Sequence, residues 1–390
     1  MELKLDNLLG KKNNRTSAQV VIQDVVKVKK GERVLIIANP ATSEIAQDLF
    51  SAASDEGAQS TLIFQSDKTS FDNANPEVLA AIATAPDVCF SISNIKLGKD
   101  PQGNANPYKT DSGEEYTNMF DYLINGKKVM RGAWTPGITT DMMNRTASID
   151  YKELQERCRK LNEFFKDSVS VRVTSPGGTD IIVPVNGRNL LFDDGDFSKP
   201  GTGGNIPAGE VFISPVVGGS NLKDSNGTII EQQCDGCEGT IVFDGSMTFS
   251  DGDALLETPI TCKVQAGYVT EVTGGSEAKR LLKTITEAEN RSMAYEKEGK
   301  LGEGQGSIYK KNARNIGELG IGLNPAAKIT GNMLEDEKAF HTCHFAIGEN
   351  YDNDAPSLIH LDGVVKEPTI ILTYSDGSSK TILQDGALQI

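Results

Sequence analysis

Apolar residues in the first part of the chain occur both in short continuous runs and at helical spacing. Residues 17–28 carry apolar positions at helical spacing. After them, strand-like runs (34–40, 60–65 and 87–93) alternate with segments of helical pattern (42–57 and 76–84). Such alternation is typical of a parallel sheet covered by helices. The pattern therefore predicts an α/β N-terminal domain with a parallel sheet.

The pattern of apolar and polar residues changes after an amphipathic segment at 151–168, which is predicted to be a helix connecting two domains. From about residue 169, short β-rich runs are separated by Gly, Asn and Asp turns, the pattern of hairpins. One helix is predicted at 276–290, and the Asn- and Gly-containing stretch 98–115 is predicted to be a loop. We therefore expect two domains, an N-terminal α/β domain at 1–168 and an α+β, strand-rich C-terminal domain at 169–390 that binds metal.

Charge and hydropathy exclude some classes of partner and location. The 390 residues include 39 Lys and Arg against 54 Asp and Glu, a formal net charge of −15. Such a surface repels phosphate backbones and anionic lipid, so we expect neither a nucleic-acid partner nor a membrane partner. No apolar run is long enough to span a bilayer, and residues 1–15 lack the apolar core of a secretory signal. With six sparse cysteines, the sequence is typical of a cytoplasmic protein with reduced thiols.

Histidine is the residue type that points to chemistry. The chain has three histidines, His341, His344 and His360, and all lie within 20 residues. His360 and Asp362 stand two apart in a strand-like run, so both side chains project from one face and can reach one ion. Imidazole with carboxylate suits zinc, cobalt, manganese or iron. His341 is three residues from His344, on the opposite face of a strand, and is expected at the surface or behind a ligand.

Two glutamates lie in apolar stretches of the sequence, where a charged side chain is unusual. Glu210 begins an apolar strand-like run after Pro-Ala-Gly, and Glu318 lies in an apolar, glycine-rich stretch. Burying a bare carboxylate is costly, so each must face solvent, be paired or bind metal. The residues alone leave these alternatives open. The small neighbours Gly209 and Gly317 favour a functional role because they allow close approach of backbone or substrate.

Other sequence motifs give little indication of function. Cys234 and Cys237 form a CxxC pair, but a zinc site of this type needs a second pair nearby and the sequence has none. GxSxG, the dinucleotide fingerprint GxGxxG after the first strand, and the P-loop are likewise absent from the sequence. Metal chemistry is the hypothesis that remains.

Four blocks of the sequence resemble one known family. They are NIPAGEVFISP, GELGIGLNPAAKITGNMLEDEK, HFAIGENY and SLIHLDGVV, from about residue 200 to 370. Together they resemble the aminopeptidase T and aminopeptidase S family, the M29 metallopeptidases. The resemblance implies a two-domain homodimer that hydrolyses the N-terminal residue of peptides with two divalent ions per chain, zinc, cobalt or manganese.

The same resemblance implies roles for individual residues. Glu210 matches a ligand of one metal, and Glu318 matches the carboxylate that bridges both. The remaining ligands match His344, His360 and Asp362. Two further residues match catalytic positions. Tyr351 would donate a hydrogen bond to the developing oxyanion, and Glu337 would accept the proton of the metal-activated water.

The sequence departs from the family in places that leave an alternative open. Glu337 lies seven residues before His344, where the family spacing is five, and the segment between Tyr351 and His360 is short. A related branch cleaves dihydroxypyridine rings with one non-haem iron held by two His and one carboxylate. His344, His360 and Asp362 would also make that triad. The two extra glutamates favour the peptidase, since a single-metal triad does not need them. A binding protein that kept the scaffold without activity is the third alternative.

Overall fold

The computed structural model describes residues 15–69, 72–220, 222–223, 229–231 and 234–390. The prediction that the amino terminus carries no secretory signal falls on residues 1–15, of which 1–14 lie outside the described residues. The α-helices are α1 (Ser17–Val20), α2 (Ser43–Asp55), α3 (Pro76–Ala83), α4 (Pro101–Ala105), α5 (Met119–Asp121), α6 (Thr140–Thr146), α7 (Tyr151–Phe165), α8 (Ser276–Lys297), α9 (Gln305–Asn312) and α10 (Met333–Asp336). Short π-helices cover Val21–Val25 and Tyr122–Gly126, and a 3-10 turn covers Pro40–Thr42.

The strands of the first half are β1 (Arg33–Ala38), β2 (Gln59–Phe64), β3 (Val88–Ile92), β4 (Tyr108–Lys109), β5 (Glu115–Tyr116), β6 (Arg131–Trp134), β7 (Ser168–Thr174), β8 (Asp180–Pro184) and β9 (Leu191–Asp193). Those of the middle part are β10 (Gly203–Asn205), β11 (Glu210–Ile213), β12 (Leu222–Lys223), β13 (Ile229–Glu231), β14 (Glu238–Phe243), β15 (Ser246–Phe249), β16 (Gly252–Leu255), β17 (Ile260–Gln265) and β18 (Tyr268–Thr273). The last are β19 (Ile316–Gly322), β20 (Thr342–Gly348), β21 (His360–Lys366), β22 (Thr369–Tyr374), β23 (Ser379–Gln384) and β24 (Ala387–Leu388).

A five-stranded parallel sheet forms the centre of the N-terminal part, in the order β10-β6-β3-β1-β2. Strand β1 is buried over Val34–Ala38, and its residues alternate between two hydrophobic clusters, one on each face of the sheet. Helices therefore cover both faces, as the continuous apolar run predicts. The edge strand β10 comes from Gly203–Asn205, beyond the predicted domain boundary at residue 168. The boundary itself stays a prediction.

Two antiparallel sheets make up most of the C-terminal part. One has seven strands in the order β16-β15-β21-β20-β19-β11-β9, and the other has eight in the order β18-β17-β14-β8-β7-β22-β23-β24. Neighbouring strands in both sheets pair antiparallel, and β20 lies in the middle of the seven-stranded sheet. The predicted fold class, a parallel-sheet α/β domain with a strand-rich α+β domain, is confirmed.

Several element bounds differ from the sequence prediction for local reasons. The predicted helix at 17–28 is a short α-helix continued by a π-helix. Helix α7 begins at an Asp150 cap, which accepts from two backbone N–H groups, and ends before β7 starts at Ser168. The predicted loop at 98–115 contains α4 and the first strand of a small hairpin. In the described residues, no helix combines the length and apolar character that a membrane crossing requires.

Candidate metal centre

Four neighbouring strands of the seven-stranded sheet bring the predicted ligands together. Glu318 on β19 lies opposite Ala346 on β20, which in turn lies opposite Asp362 on β21. On the same face, His344 lies opposite Gly320, His360 opposite Gly348, and Glu210 on β11 opposite Gly322. Because residues two apart share a face of a strand, the five side chains converge over one side of the sheet.

Glycine at position 320 makes room for the buried imidazole. A Cβ at Gly320 would lie 2.0 Å from Nε2 of His344, far inside van der Waals contact. The side chain of His344 is fully buried, so it has nowhere to retreat. A residue without a side chain at 320 therefore lets the ring lie across β19 and point at Glu318.

Two imidazoles and two carboxylates form the first donor group. Nε2 of His344 lies 2.9 Å from Oε1 of Glu318, and Nε2 of His360 lies 3.4 Å from the other oxygen of Glu318 and 3.3 Å from Oδ1 of Asp362. Ligand atoms of Glu318, His344 and Asp362 are close enough together to share one ion. Nδ1 of His360 bonds the carbonyl oxygen of Glu349 at 2.9 Å, which directs Nε2 into the group.

A second donor group adjoins the first. Atoms of Glu210, Glu337 and His344 also lie close enough together to share an ion, so His344 belongs to both groups. This second group holds a lysine. Nζ of Lys338 lies 2.9 Å from Oε1 of Glu210, contacts Oε1 of Glu337, and is 3.8 Å from Oδ2 of Asp193. The lysine side chain is completely buried.

The charges in the site shift the titration of its members. Burial acts to raise the pKa of Glu318, but hydrogen bonds from His344 and His360 outweigh it and lower that pKa to about 2. Burial acts to lower the pKa of His344, but the hydrogen bond to Glu318 and the charge of Glu210 outweigh it and raise that pKa to about 9. Without a metal, Glu318 is therefore ionised and His344 protonated at neutral pH.

The carboxylates around Lys338 shift in the opposite direction from Glu318, because the effect of burial exceeds that of the lysine charge. Burial raises the pKa of Glu210 to about 8 and that of Asp193 to about 7, although Lys338 opposes both shifts. Burial also raises the pKa of Glu337. Burial acts to lower the pKa of Lys338, but Glu210 and Glu337 outweigh it and raise that pKa. The lysine is therefore a permanent cation in this group.

Orphaned oxygens show that the site fits a cation. Oδ1 of Asp362 and Oε2 of Glu210 are buried and accept no well-aligned hydrogen bond from the described residues. Each lies only near an imidazole nitrogen, at 3.3 Å from His360 and 3.4 Å from His344 respectively. Leaving carboxylate oxygens buried and unsatisfied is costly. Imidazole nitrogens and carboxylate oxygens are the donors that divalent transition metals prefer. Glu318, His344 and Asp362 could hold such an ion, which would satisfy Oδ1 of Asp362.

The candidate centre opens into a cleft between the N-terminal and C-terminal parts, with a volume of about 1140 Å³. His360, Asp362 and Glu337 line it from the C-terminal part, and Lys96 lines it from the N-terminal part. Tyr351 stands at the same cleft, its ring 5.3 Å from that of His360. Tyr351 is 53% exposed, so a substrate in the cleft can reach it.

The predicted residues therefore fall into two sets. Glu210, Glu318, Glu337, His344, His360, Asp362 and Tyr351 all lie at the centre or its cleft. His341 does not: it is exposed, with Nδ1 bonded to the carbonyl oxygen of Gly386. Cys234 and Cys237 are buried in another part of the chain, where Gly236 N–H donates to Sγ of Cys234. The roles of individual residues as ligands stay predictions.

Sequence reasoning missed Lys338, Asp193 and Gly320. Lys338 follows Glu337 directly and reads as a solvated charge, because its partner Glu210 is 128 residues away in sequence. Gly320 could have been identified from the sequence, because the glycines at 320 and 322 are two residues apart and therefore share one face of a strand. Two glycines on one face indicate that something bulky lies over the strand.

Comparisons with known proteins agree on the fold. A protein-family model described as "NicX: 2,5-dihydroxypyridine 5,6-dioxygenase" matches residues 138–388. The solved 2,5-dihydroxypyridine dioxygenase from Pseudomonas putida KT2440 superposes with a TM-score of 0.65 at 16% identity, covering 96% of each chain. Wild-type AmpT from Thermus thermophilus gives a TM-score of 0.62 at 17% identity, covering 96% of this chain and 98% of that one. No curated protein sequence matches the chain at a significant level.

Proposed function

The chain belongs to the family described as NicX: 2,5-dihydroxypyridine 5,6-dioxygenase, and from that premise we propose that it is a metal-dependent enzyme that opens a dihydroxylated pyridine-like ring with dioxygen. The matched residues include Glu210, Glu318, His344, His360 and Asp362, so the whole candidate centre lies within the family region. The proposal places one divalent iron ion at the first donor group. It reverses the order of preference reached from the sequence, where the peptidase came first.

The observation that carries the proposal is the convergence of His344, His360 and Asp362 around Glu318 on one face of the sheet. His344, His360 and Asp362 supply the two imidazoles and one carboxylate that are typical of non-haem iron oxygenases, and Glu318 adds a second carboxylate. The group faces a cleft large enough for an aromatic substrate and lined with polar side chains. Each of these features supports a one-iron centre with substrate access.

A divalent iron ion held there supplies the one-electron chemistry through which dioxygen reacts with an electron-rich ring. The chain's own residues hold and orient the substrate. Partial desolvation in the cleft and the carboxylates of Glu318 and Asp362 raise the pKa of Tyr351, so its hydroxyl stays protonated and can donate a hydrogen bond to a ring substituent. Glu337 lines the cleft and can accept the proton of a substrate hydroxyl.

A two-metal aminopeptidase is the second candidate, favoured by one specific observation. The group of Glu210, Glu337 and His344 provides a second set of donors that shares His344 with the first. Ions held by these two groups would supply the Lewis-acid chemistry that peptide hydrolysis needs. The fold shared with AmpT and the sequence blocks that resemble aminopeptidase T support this candidate as well.

Parallel assays separate the two candidates. The metal-stripped protein is reloaded with ferrous iron under anaerobic conditions, and oxygen uptake is measured with 2,5-dihydroxypyridine. A second portion is reloaded with zinc, cobalt or manganese and tested on aminoacyl-p-nitroanilides. Iron-dependent oxygen uptake with both atoms of labelled dioxygen in the product supports the dioxygenase. Hydrolysis without oxygen uptake contradicts it and supports the peptidase.

The three histidines provide matched variants. His360→Ala removes a donor of the first group and is expected to abolish oxygen uptake. His341→Ala changes the same residue type on the exposed side of the chain, and activity is expected to stay as in the wild type. Equal activity of the two variants would contradict the assignment of the centre.

A further inference from the structure

A buried ammonium group lies among the carboxylates of the second donor group. Nζ of Lys338 lies 2.9 Å from Oε1 of Glu210, contacts Oε1 of Glu337, and is 3.8 Å from Asp193 and 3.5 Å from Oδ1 of Asn205. Four oxygen-bearing side chains therefore surround one nitrogen. Two of the four, Glu210 and Glu337, are the carboxylates of the second donor group.

The segment that carries Lys338 is fixed to the rest of the chain. Just before it, the buried carboxylate of Glu335 pairs with Arg145, and Asp336 accepts hydrogen bonds from the backbone N–H groups of Thr330 and Gly331. Asn324 N–H donates to the carbonyl oxygen of Lys338 itself at 2.9 Å. The backbone of Lys338 is therefore held by hydrogen bonds and by the fixed residues before it. Its side chain is buried and cannot reach solvent.

Charge explains why a cation is needed at this position. Asp193 and Glu210 are each 6% exposed, and buried carboxylates require a paired positive charge. The ammonium supplies that charge. Its N–H groups take up Oε1 of Glu210 and Oε1 of Glu337, one oxygen from each carboxylate of the second donor group. Two positive centres a few ångström apart in a buried site also repel each other strongly.

We propose that Lys338 takes the place of a second metal cation, so that a scaffold with two donor groups holds a single divalent ion at Glu318, His344, His360 and Asp362. The inference rests on the proposed one-ion function. Under it, Glu210 is a partner of Lys338 rather than a metal ligand. Lys338 thus decides how many ions the centre holds.

The test is the number of Mn²⁺ ions bound per chain, measured by elemental analysis after equilibrium dialysis. Lys338→Met keeps the length of the side chain and removes its charge. Lys328→Met, at an exposed lysine ten residues earlier, is the matched control. We expect one equivalent in the wild type, two in Lys338→Met with the magnetic resonance signal of a coupled manganese pair, and one in Lys328→Met.

A double variant and a stability measurement distinguish loss of folding from a change in the number of bound ions. Lys338→Met combined with Glu210→Gln removes both the ammonium and a donor of the second group, and we expect it to bind one equivalent. Lys338→Met alone leaves buried carboxylates unpaired, so its melting temperature is expected to fall and to recover with Mn²⁺ by more than the wild type gains. Absence of that recovery would overturn the proposal.

The outcomes separate this inference from the proposed function. Two equivalents in the wild type would contradict the one-ion centre and with it the proposed dioxygenase. One equivalent in both the wild type and folded Lys338→Met would overturn only the role of the lysine. One equivalent rising to two on loss of the ammonium supports both.

Discussion

Replacing Gly320 with alanine tests whether the face of β19 is shaped for His344. The added Cβ would lie 2.0 Å from Nε2, 2.1 Å from Cε1 and 2.8 Å from Cδ2 of the ring, against an ordinary carbon contact of about 3.5–4.0 Å. The ring is completely buried, so it must rotate out of its place over the strand. The backbone at 320 is ordinary strand, so alanine causes no conformational strain of its own.

The size of the effect follows from these distances. Overpacking a buried site typically costs about 1–3 kcal/mol, and because three ring atoms are affected we expect about 3 kcal/mol here. The displaced ring also loses its hydrogen bond to Glu318, so affinity for a divalent ion is expected to fall roughly 10–100-fold. Urea unfolding of the metal-free protein and a calorimetric metal titration measure the two effects.

Gly302→Ala is the matched control for this variant. A Cβ there meets the flexible side chain of Gln305 at 3.4 Å and nothing closer, so stability and metal affinity are expected to stay as in the wild type. Combining Gly320→Ala with His344→Ala removes the clash, and part of the lost stability is expected to return without metal binding. If Gly320→Ala behaves like Gly302→Ala, the assigned position of His344 is refuted.

Three further predictions follow from the site and its surroundings. A metal binds the neutral imidazole of His344, and the pKa of this imidazole is about 9 because its hydrogen-bonded and charged carboxylate neighbours outweigh the effect of burial. Metal binding must therefore displace a proton below about pH 9. The apparent metal affinity is expected to rise about tenfold per pH unit from about pH 7 to 9, as measured by calorimetric titration. Arg145→Gln leaves the buried carboxylate of Glu335 unpaired and is expected to cost about 3–5 kcal/mol in urea unfolding. Trp134 is the single tryptophan of the sequence and lines an apolar pocket that shares Pro136 with the cleft, so binding of a pyridine-like ring is expected to change its fluorescence.

Each of these has a result that would contradict it. A metal affinity independent of pH would mean that His344 does not lose a proton on binding. Arg159→Gln breaks only exposed pairs on a helix surface and is the control for Arg145→Gln. Equal stability of the two variants would contradict the role assigned to the buried pair. Unchanged tryptophan fluorescence at saturating ligand would contradict binding of the ring beside the pocket that Trp134 lines.

The N-terminal sheet could be predicted from the sequence because its central strands β1 and β3 are buried on both faces. The run at 34–40 is continuously apolar, and the structure has β1 at Arg33–Ala38 within a parallel sheet. The edge strand β10 could not be predicted, since Gly203–Asn205 has no apolar pattern and owes its conformation to pairing with β6. Short edge strands are decided by the sheet that they join rather than by their own sequence.

The candidate site was predictable where neighbours in sequence are neighbours in space. His360 and Asp362 lie on one face of β21, with Nε2 and Oδ1 3.3 Å apart, as the alternation of a strand predicts. Lys338 was not predictable, because its burial depends on the register that places Glu210 opposite Gly322. Sequence patterns indicate faces of strands, whereas long-range ion pairs depend on how distant strands align.

X-ray absorption fine structure of the iron-loaded protein tests the central claim most directly, because it reports the ligands of the bound ion and any neighbouring metal. The account predicts two imidazole ligands, from His344 and His360, together with oxygen ligands and no metal–metal distance. Loss of one imidazole is expected in His360→Ala and not in His341→Ala. A metal–metal distance in the wild type, or an ion without imidazole ligands, would contradict the one-ion centre.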